Sequence, residues 1–555
     1  MKEARKKTVN LIFVAVLLFG VVALSWAAGK EEAPTATGTE PITFTWLRTS
    51  WPTWDEPMSA DAMGQWMIEQ TGVTLEIEQI SGEASERYNL VLATQDFPDL
   101  MSYPGDALLP KFIDEGAIVK LDEYLDQYPN IYEQFQEAWG VYTNIDDGHI
   151  YALPTWYSGK FVASAGTDIR HDIMMDYFPD RADVKAIFTL DEIYEMLVDY
   201  KSKNPVTKDG VRFIGWTNTA AQGNAMRQIW NNSQELYLVD ENTVAMQMFN
   251  PNEREMVIFL NKMYREGFLD PDMFLNTYDQ MNAKLSNESA IIANVHQARY
   301  SAVNAMMHEQ DENKYFAYYR VVADLSEPNG YYAHGPFGVP GTVIMTEGKD
   351  IERLLSFINF TTDKYVNFYL CNGRPGTFYD VVDDRAVPNI EAISAIDDLW
   401  TRFRQVGAYK YVGWLREGID TRLTDIGFWY KNASLGSLIH YSWDAALDYS
   451  QNHRIINWTE KEELANPGYM LGIAVGSDTP EGIIKQRIDD IYLEAFAKAV
   501  MARTEAQAIQ IYEEALADIN AAGYEQYIKA MTPRYLARKA FIDEMGEGMT
   551  GGMGR

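Results

Sequence analysis

DDGHIYALPTWYSG, residues 146–159, combines a turn, an alternating segment and a pair of aromatic rings. Asp147 and Gly148 give the turn signal, and apolar residues then alternate until Pro154. The segment ends on the neighbouring rings of Trp156 and Tyr157. This pattern is typical of a short strand that leaves a turn and carries two rings to a surface.

Length and composition predict a globular protein with two lobes. A chain of 555 residues is too long for one ordinary core, and 47% hydrophobic with 23% charged residues is globular composition. The formal net charge is −33, and no basic stripe with interleaved aromatic residues is present. Such a surface repels phosphate backbones, so a nucleic-acid partner is excluded.

The first residues have the pattern of a secretory leader. Basic residues between positions 2 and 7 precede an apolar run over residues 9–24, and small residues follow at the expected cleavage site. We predict a signal peptide over residues 1–28 and a flexible tether over residues 29–41. At the other end, the Gly- and Met-rich residues 546–555 are predicted to be disordered.

Cysteine content restricts both chemistry and location. Cys371 is the single cysteine, so the chain can form neither an intrachain disulfide nor a cysteine-based zinc site. No cysteine follows the apolar run, which leaves no lipobox cysteine for lipid attachment. An exported chain without disulfides fits a bacterial periplasm or cell envelope, either free or held by an uncleaved leader.

The first region after the tether has an α/β pattern. Apolar residues alternate over residues 42–46, a helical segment covers about 61–71, and alternation returns over 73–77. A strand, a helix and a strand in this order predict a parallel pair joined by a right-handed crossover.

Clear helix signals follow in the middle and last thirds. Thr189 begins a capping box, Asn250 caps a helix with Pro251 at its first position, and Thr479 does the same before Pro480. The last third is predicted to be helical.

Two loops follow predicted strands at positions where open α/β sheets bind ligands. Arg48, Trp51 and Trp54 come directly after the first strand, and His296 and Arg299 follow an apolar strand over residues 290–295. Ligands of such sheets lie outside the carboxyl ends of the strands, so these side chains are candidates for a ligand site.

Six stretches together resemble one protein family. They are ATQDFPDLMSY (93–103), GAIVKLDEYLDQYPNI (116–131), DGHIYALP (147–154), IRHDIM (169–174), FTLDEIYEMLVDYKSKNP (188–205) and FLNKMYREGFLDPDMF (259–274). The chain resembles bacterial extracellular solute-binding proteins of ABC importers, in the family 1 carbohydrate branch that includes LplA-like and alginate-oligosaccharide-binding proteins. Two features depart from that branch: the leader cysteine is absent, and the match thins over residues 370–467.

The resemblance implies an α/β fold of the two-lobe periplasmic binding protein type (type II). Each lobe is expected to be a sheet flanked by helices, followed by a helical C-terminal region. We expect lobe 1 over residues 42–155 and 335–400, and lobe 2 over residues 156–334 and 401–545. Residues 146–159 then lie near the first passage between the lobes, where Pro154 stiffens the crossing.

The resemblance also implies a function. A sugar or oligosaccharide would be held between the lobes and delivered to ABC permease subunits in the membrane by a monomer. Aromatic rings stack on apolar sugar faces while polar side chains pair with hydroxyl groups. The expected ligand residues are Arg48, Trp51, Trp54, Trp156, Tyr157, Trp216, His296, Arg299, Trp443 and Asp444.

Other classes of function stay open at this point. A peptide-binding importer component would share the leader and the tether, and a secreted polysaccharide hydrolase or lyase would also be acidic and rich in aromatic residues. The enzyme would need two carboxylates across a cleft, and no Gly-x-Ser-x-Gly, His-Glu-x-x-His or Walker-type loop is present. An adhesion protein would favour repeats, and none is found. We predict a binding protein and not an enzyme, with no cofactor and no metal site.

Overall fold

The computed structural model describes most of the chain between residues 40 and 552. Within that span, the residues not described are 50–55, 137, 156–161, 166, 183–185, 220–225, 233–234, 296–299, 312, 327–331, 335–338, 383–384, 390, 393–394, 396–405, 408–409, 412–413, 415–427, 433–436 and 442–471.

The strands form two five-stranded sheets and several two-stranded ones. In chain order they are β1 (Ile42–Arg48), β2 (Val73–Gln79), β3 (Leu100–Ser102), β4 (Leu153–Thr155), β5 (Val162–Ala165), β6 (Thr167–Arg170), β7 (Ile187–Thr189), β8 (Gly215–Trp216), β9 (Leu236–Asp240), β10 (Thr243–Met246), β11 (Ala290–Ala293), β12 (Phe316–Val322), β13 (Tyr332–His334), β14 (Val339–Ile344), β15 (Tyr379–Val382), β16 (Arg385–Pro388), β17 (Phe428–Asn432) and β18 (Ser437–Tyr441).

The α-helices are concentrated around the two large sheets and in the C-terminal region. In chain order they are α1 (Ala62–Thr71), α2 (Ala84–Thr94), α3 (Leu109–Asp114), α4 (Pro129–Gln134), α5 (Trp139–Tyr142), α6 (His171–Tyr177), α7 (Leu190–Lys203), α8 (Pro251–Arg265), α9 (Tyr278–Ser286), α10 (Ser301–His308), α11 (Ile351–Thr361), α12 (Lys364–Asn372), α13 (Pro480–Val500), α14 (Glu505–Ala521) and α15 (Tyr524–Gly552). Among the described residues, no helix combines the length and the apolar character that a membrane crossing requires.

The first lobe is built on a five-stranded sheet in the order β2-β1-β3-β14-β4. β1 runs parallel to β2 and to β3, which confirms the predicted strand, helix and strand unit. β14 runs antiparallel to both of its neighbours, β3 and β4. The carboxyl ends of β1, β3 and β4 therefore meet the amino end of β14 at one edge of the sheet.

The second lobe repeats this arrangement in the order β7-β12-β6-β11-β8. β6 lies in the centre and runs antiparallel to β11 and β12, while the outer pairs β12-β7 and β11-β8 are parallel. The carboxyl ends of β7, β8, β11 and β12 therefore share one edge with the amino end of β6.

Two short strands connect the sheets. β5 lies between β4 of the first sheet and β6 of the second, and β13 lies between β12 of the second and β14 of the first. β5 and β13 pair antiparallel, with Tyr332 opposite Ala165 and His334 opposite Val162. We call this pair the crossing ribbon. The two-lobe α/β fold, with helices flanking each sheet, is confirmed.

The core of the first lobe includes residues distant in sequence. The rings of Trp46 and Trp414 stack with centroids 5.4 Å apart, and the indole of Trp414 donates to the hydroxyl of Thr361 at 2.8 Å. Tyr411 lies in the same core and donates to Asp61 at 2.8 Å. The resemblance implies lobe 2 for residues 401–545, but Tyr411 and Trp414 pack in lobe 1, because packing between distant segments leaves no local signal in the sequence. The other lobe boundaries stay predictions.

The C-terminal helices pack on the second lobe. Asn261 of α8 is completely buried, and its amide nitrogen donates to the carbonyl oxygens of Ala499, Val500 and Ala502 at 3.3, 3.1 and 2.8 Å. One side chain thus pairs with carbonyl groups at the end of α13 and just beyond it, where an isolated helix leaves carbonyl groups unpaired. α15 continues to Gly552, beyond the start of the tail predicted to be disordered, because glycine weakens a helix without ending it.

The predicted helix starts are confirmed. Thr189 and Glu192 form a reciprocal capping box, the side chain of Asn250 accepts from the backbone of Asn252, and Thr479 accepts from Gly482. The starts of α7, α8 and α13 are therefore predictable from local capping residues alone, without knowledge of tertiary contacts.

Replacing Asn261 with Ala should lower the free energy of unfolding by about 2–3 kcal/mol, because the buried carbonyl groups of Val500 and Ala502 lose a donor, whereas that of Ala499 keeps the bond from the backbone of Ala502. Urea unfolding followed by circular dichroism measures this change. Glu255→Ala is the matched control, because Glu255 is exposed on the same helix. An equal effect of the two substitutions would mean that Asn261 does not hold the C-terminal helices.

Candidate functional site

Polar residues occupy the shared edge of the first sheet. Ser102 ends β3, and its hydroxyl accepts from the backbone nitrogen of Thr49, just beyond β1, at 3.2 Å. Thr155 ends β4 opposite Val339 and is 7% exposed. The hydroxyl of Thr155 is buried and has no hydrogen-bond partner among the described residues.

The corresponding edge of the second sheet holds a buried amide. Asn294 follows β11 and is completely buried. Its side chain accepts from the indole nitrogen of Trp216 at 2.8 Å and donates to the hydroxyl of Thr167 at 3.2 Å. One amide therefore ties together the ends of β8, β11 and β6.

A polar segment continues from β8 at the same edge. Thr217, Asn218 and Thr219 are all buried. The amide nitrogen of Asn218 and the hydroxyl of Thr219 have no hydrogen-bond partner within the described part of the chain. An unpaired buried polar group costs about 1–3 kcal/mol, and a bound hydroxyl or amide group removes that cost. Each lobe therefore presents unpaired polar atoms at its shared strand edge.

Two buried carboxylates fix the backbone around this edge. Asp168 in β6 accepts from the hydroxyl of Tyr300 at 2.6 Å and from the backbone nitrogen of Val295 at 2.9 Å. Burial raises the pKa of Asp168 well above its usual value, although both donors lower it. Asp168 therefore holds Val295, just after β11, and Tyr300, just before α10, in place.

Asp270 holds the segment after β8 in place through hydrogen bonds. It accepts from the hydroxyl of Thr217 at 2.6 Å, the amide of Asn276 at 2.7 Å and the ammonium group of Lys284 at 2.7 Å. Burial alone raises the pKa of Asp270, but these donors outweigh it and hold the pKa below its ordinary value of 3.8.

Two of the predicted ligand residues lie among the described residues, and both are buried. Arg48 is 1% exposed, donates to the carbonyl of Lys410 and to Gln79, and lies 5.2 Å from the ring centroid of Trp46. Trp216 is 0% exposed. Their side chains thus pack inside the two lobes, and their assignment to a ligand site stays a prediction.

The remaining predicted ligand residues lie outside the described residues. They are Trp51, Trp54, Trp156, Tyr157, His296, Arg299, Trp443 and Asp444. Trp51 and Trp54 follow β1 in the chain, Trp156 directly follows β4, and His296 comes just after β11.

The sequence prediction missed four polar residues at the strand edges: Thr155, Asn218, Thr219 and Asn294. Each follows or ends a strand, so the rule that selected Arg48 and His296 also applies to them. The prediction selected aromatic and charged residues and left out small polar residues. Within the described ranges, no cluster of His, Cys, Asp and Glu side chains could hold a metal ion.

Two lobes joined by a paired crossing, with polar strand edges in both, define a two-lobe solute-binding protein. Residues 49–364, more than half of the chain, match the sequence profile of the family described as bacterial extracellular solute-binding protein. The chain belongs to this family, whose members are binding proteins.

Two curated relatives share moderate sequence identity with the chain. Lipoprotein LipO of Bacillus subtilis is 24% identical over 313 residues, which cover 54% of this chain and 60% of LipO. The fructooligosaccharide ABC transporter substrate-binding protein FusA of Streptococcus pneumoniae is 23% identical over 296 residues, or 49% of this chain and 54% of FusA. Each match thus spans somewhat more than half of the relative.

Solved structures share the fold over almost the whole chain. A FusA EF-hand mutant in complex with fructo-nystose superposes with a TM-score of 0.66 at 15% identity, covering 90% of this chain and 100% of that chain. The alginate-binding protein AlgQ2 without calcium ion gives 0.62 at 18% identity, covering 91% and 100%.

Thr155→Val should leave the melting temperature of the unliganded protein unchanged or slightly higher, since the lost hydroxyl has no partner in the described chain. The control, Thr167→Val, removes the acceptor of Asn294 and should cost about 1 kcal/mol. Calorimetry of both variants measures this difference. Equal losses would show that the hydroxyl of Thr155 is already paired.

Asp270→Asn should make the free energy of unfolding depend less on pH in the acidic range. Because the folded-state pKa of Asp270 is lowered, its stabilising effect is present above the unfolded value and is lost as the pH falls through the folded value. The variant should be about 2 kcal/mol less stable at neutral pH and lose less than the wild type between about pH 5 and pH 2. Urea unfolding across this range is the measurement, and Asp279→Asn, at an exposed position, should follow the wild type.

Proposed function

We propose that the protein is the extracytoplasmic solute-binding component of an ABC importer. It captures a sugar or oligosaccharide between its two lobes and delivers it to membrane permease subunits. The observation that carries this proposal is the pair of polar strand edges, one in each lobe, where buried atoms of Thr155, Asn218 and Thr219 have no hydrogen-bond partner in the part of the chain that the structure describes. A sugar has hydroxyl groups that donate and accept, so it pairs with all three.

Capture depends on contacts that exist only when both lobes touch the ligand. A ligand favours the closed arrangement only by the free energy of the additional contacts it makes there. The crossing ribbon joins the two sheets outside their strand orders and so lets the strand edges approach each other without breaking either sheet. Pairing of the buried polar atoms on both edges then supplies part of the closing free energy.

Aromatic residues near these edges provide the second kind of contact. Trp51 and Trp54 follow β1, while Trp156 and Tyr157 follow β4. We propose that these rings stack on the apolar faces of sugar residues, while the polar edge residues pair with hydroxyl groups.

The names of the relatives favour a sugar over a peptide. FusA is named for fructooligosaccharide and AlgQ2 for alginate. Hydrolysis or elimination would need two available carboxylates, whereas Asp168 and Asp270 at the described edges are each occupied by hydrogen-bond donors. This occupancy supports binding without catalysis.

Location follows from the proposed role. We propose export through the leader over residues 1–28 to the periplasm or cell envelope, with residues 29–41 as a spacer and the protein acting as a monomer. LipO is named a lipoprotein, but Cys371, the single cysteine of this chain, lies in α12. Attachment through a leader cysteine is therefore not part of the proposal.

Trp156→Ala should abolish ligand binding while leaving the unliganded protein stable, because the ring is proposed to contact ligand and not core. Thermal unfolding with a panel of oligosaccharides and short peptides measures this, since ligand at about 100 times its Kd stabilises by about 2.7 kcal/mol. Tyr132→Ala, at an exposed aromatic position on α4 (42% exposed), should keep the full ligand response.

Three outcomes would contradict parts of this proposal. A response to peptides alone would indicate a peptide importer component. Release of reducing ends or unsaturated products from the sugar would indicate an enzyme. A large loss of unliganded stability in Trp156→Ala would show that the ring belongs to the core.

A further inference from the structure

The C-terminal region touches the first lobe at a place separate from the crossing ribbon. The backbone nitrogen of Ser477, just before α13, donates to the carbonyl oxygen of Ala107 at 3.0 Å. Ile145 of the first lobe packs against the hydrophobic cluster that the C-terminal helices form with β9 and β10. Since Asn261 anchors the C-terminal region on the second lobe, a main-chain bond and an apolar side chain here join the two lobes.

Two arginine side chains of α15 complete this contact. Arg534 binds Asp146 through two bonds of 2.5 and 2.8 Å. Arg538 donates to the carbonyl oxygens of Gly140 and Thr143 at 2.8 and 2.7 Å. Residues four apart lie on one face of a helix, so a single face of α15 holds residues 140–146. We call the contact of residues 107 and 140–146 with Ser477, Arg534 and Arg538 the outer contact.

The outer contact lies at the end of β4 that is away from the polar strand edge. Ala152, just before the amino end of β4, lines a small cavity together with Asp146 and Arg534. Thr155 marks the carboxyl end, and the chain continues from there into the crossing ribbon. A rotation of the first lobe about the ribbon therefore displaces the amino end of β4 from the C-terminal region. Because hydrogen bonds tolerate separations of only about 3.2 Å between heavy atoms, such a rotation breaks the outer contact.

Opposing effects keep the outer contact weak enough to open. The side chain of Asp146 is 60% exposed, and ion pairs accessible to water stabilise little. Arg538 is 3% exposed, and its Nε has no hydrogen-bond partner among the described residues. Burial and the charge of Arg534 lower the pKa of Arg538 to about 10, although the charge of Asp106 raises it. Separation returns this guanidinium group to water, which offsets part of the bonds lost.

We propose that the outer contact is a latch that holds the lobes in the ligand-free arrangement and opens when a ligand draws the strand edges together. This inference rests on the proposed function and adds a control of affinity at a distance from the ligand. The latch is formed in a structure where buried atoms of Thr155 and Asn218 have no partner within the described residues. Because binding competes with the latched state, a weaker latch raises the apparent affinity.

Charge reversal at Asp146 tests the latch from one direction. Asp146→Lys places a like charge against Arg534, so it should shift the radius of gyration of the protein without saccharide, measured by small-angle X-ray scattering. Titration calorimetry with the oligosaccharides that bind the wild type should show affinity about threefold higher or more. Asp146→Glu keeps the charge and should stay close to the wild type. Asp126→Lys, at an exposed position of the same lobe, is the matched control for the added charge.

An engineered disulfide tests the latch from the other direction. A Cβ atom built at Gly476 lies 3.5 Å from the Cβ atom of Pro110, within the range of about 3.5–4.5 Å that disulfides require. Pro110→Cys with Gly476→Cys, combined with Cys371→Ser, should form this bond across the latch. The oxidised protein should keep the scattering curve of the ligand-free wild type and bind the same oligosaccharides about tenfold more weakly or worse. Reduction should restore the affinity.

The outcomes separate the latch from the proposed function. Equal affinity of the oxidised and reduced disulfide variant would mean that the outer contact stays formed during binding, and tighter binding by the oxidised form would assign it to the closed arrangement. Either result, or lower affinity of Asp146→Lys, would overturn the latch and leave the proposed function standing. Failure of every saccharide to bind would overturn the proposed function. Scattering without saccharide then still decides on the latch, because an unchanged radius of gyration in Asp146→Lys would overturn it.

Discussion

The backbone pairing of β5 with β13 is the constraint on which the architecture depends. It places both passages of the chain between the sheets side by side. Each passage continues into a strand that enters its sheet from the other lobe, β6 in the second lobe and β14 in the first, and each runs antiparallel to both neighbours. The other strands therefore direct their carboxyl ends toward the opposite lobe. This is where Thr155, Asn218 and Asn294 lie, so the crossing determines where the polar edges meet.

These edges store an unfavourable free energy in the unliganded protein. The buried polar atoms of Thr155, Asn218 and Thr219, which have no partner among the described residues, each cost about 1–3 kcal/mol, while Asp168 and Asp270 hold the neighbouring backbone in place through donors that satisfy them. The carboxyl groups of Asp168 and Asp270 thus hold the backbone of the site in place. The hydroxyl and amide groups beside them lack hydrogen-bond partners among the described residues. A ligand with alternating donors and acceptors gains from both conditions, because it finds fixed partners without first having to order them.

The sequence predicts what local rules determine. The unit formed by β1, α1 and β2, the capping box at Thr189 and the cap at Asn250 were predictable because each depends on residues within a few positions. The stacking of Trp414 on Trp46 was not, since it joins distant segments through shape alone. The strand-end rule selected Arg48, and the resemblance selected Trp216, but neither could specify burial. Arg48 is enclosed by Trp46, Gln79 and the carbonyl of Lys410, and Trp216 is held by Asn294.

The C-terminal helix adds a kinematic consequence. α15 belongs to a helical region anchored on the second lobe through Asn261, yet Arg538 donates to the carbonyl oxygens of Gly140 and Thr143 in the first lobe at 2.8 and 2.7 Å. Besides the crossing ribbon, this helix therefore attaches the second lobe to the first. A change in the angle between the lobes must then keep the bonds of Arg538 to the first lobe or break them.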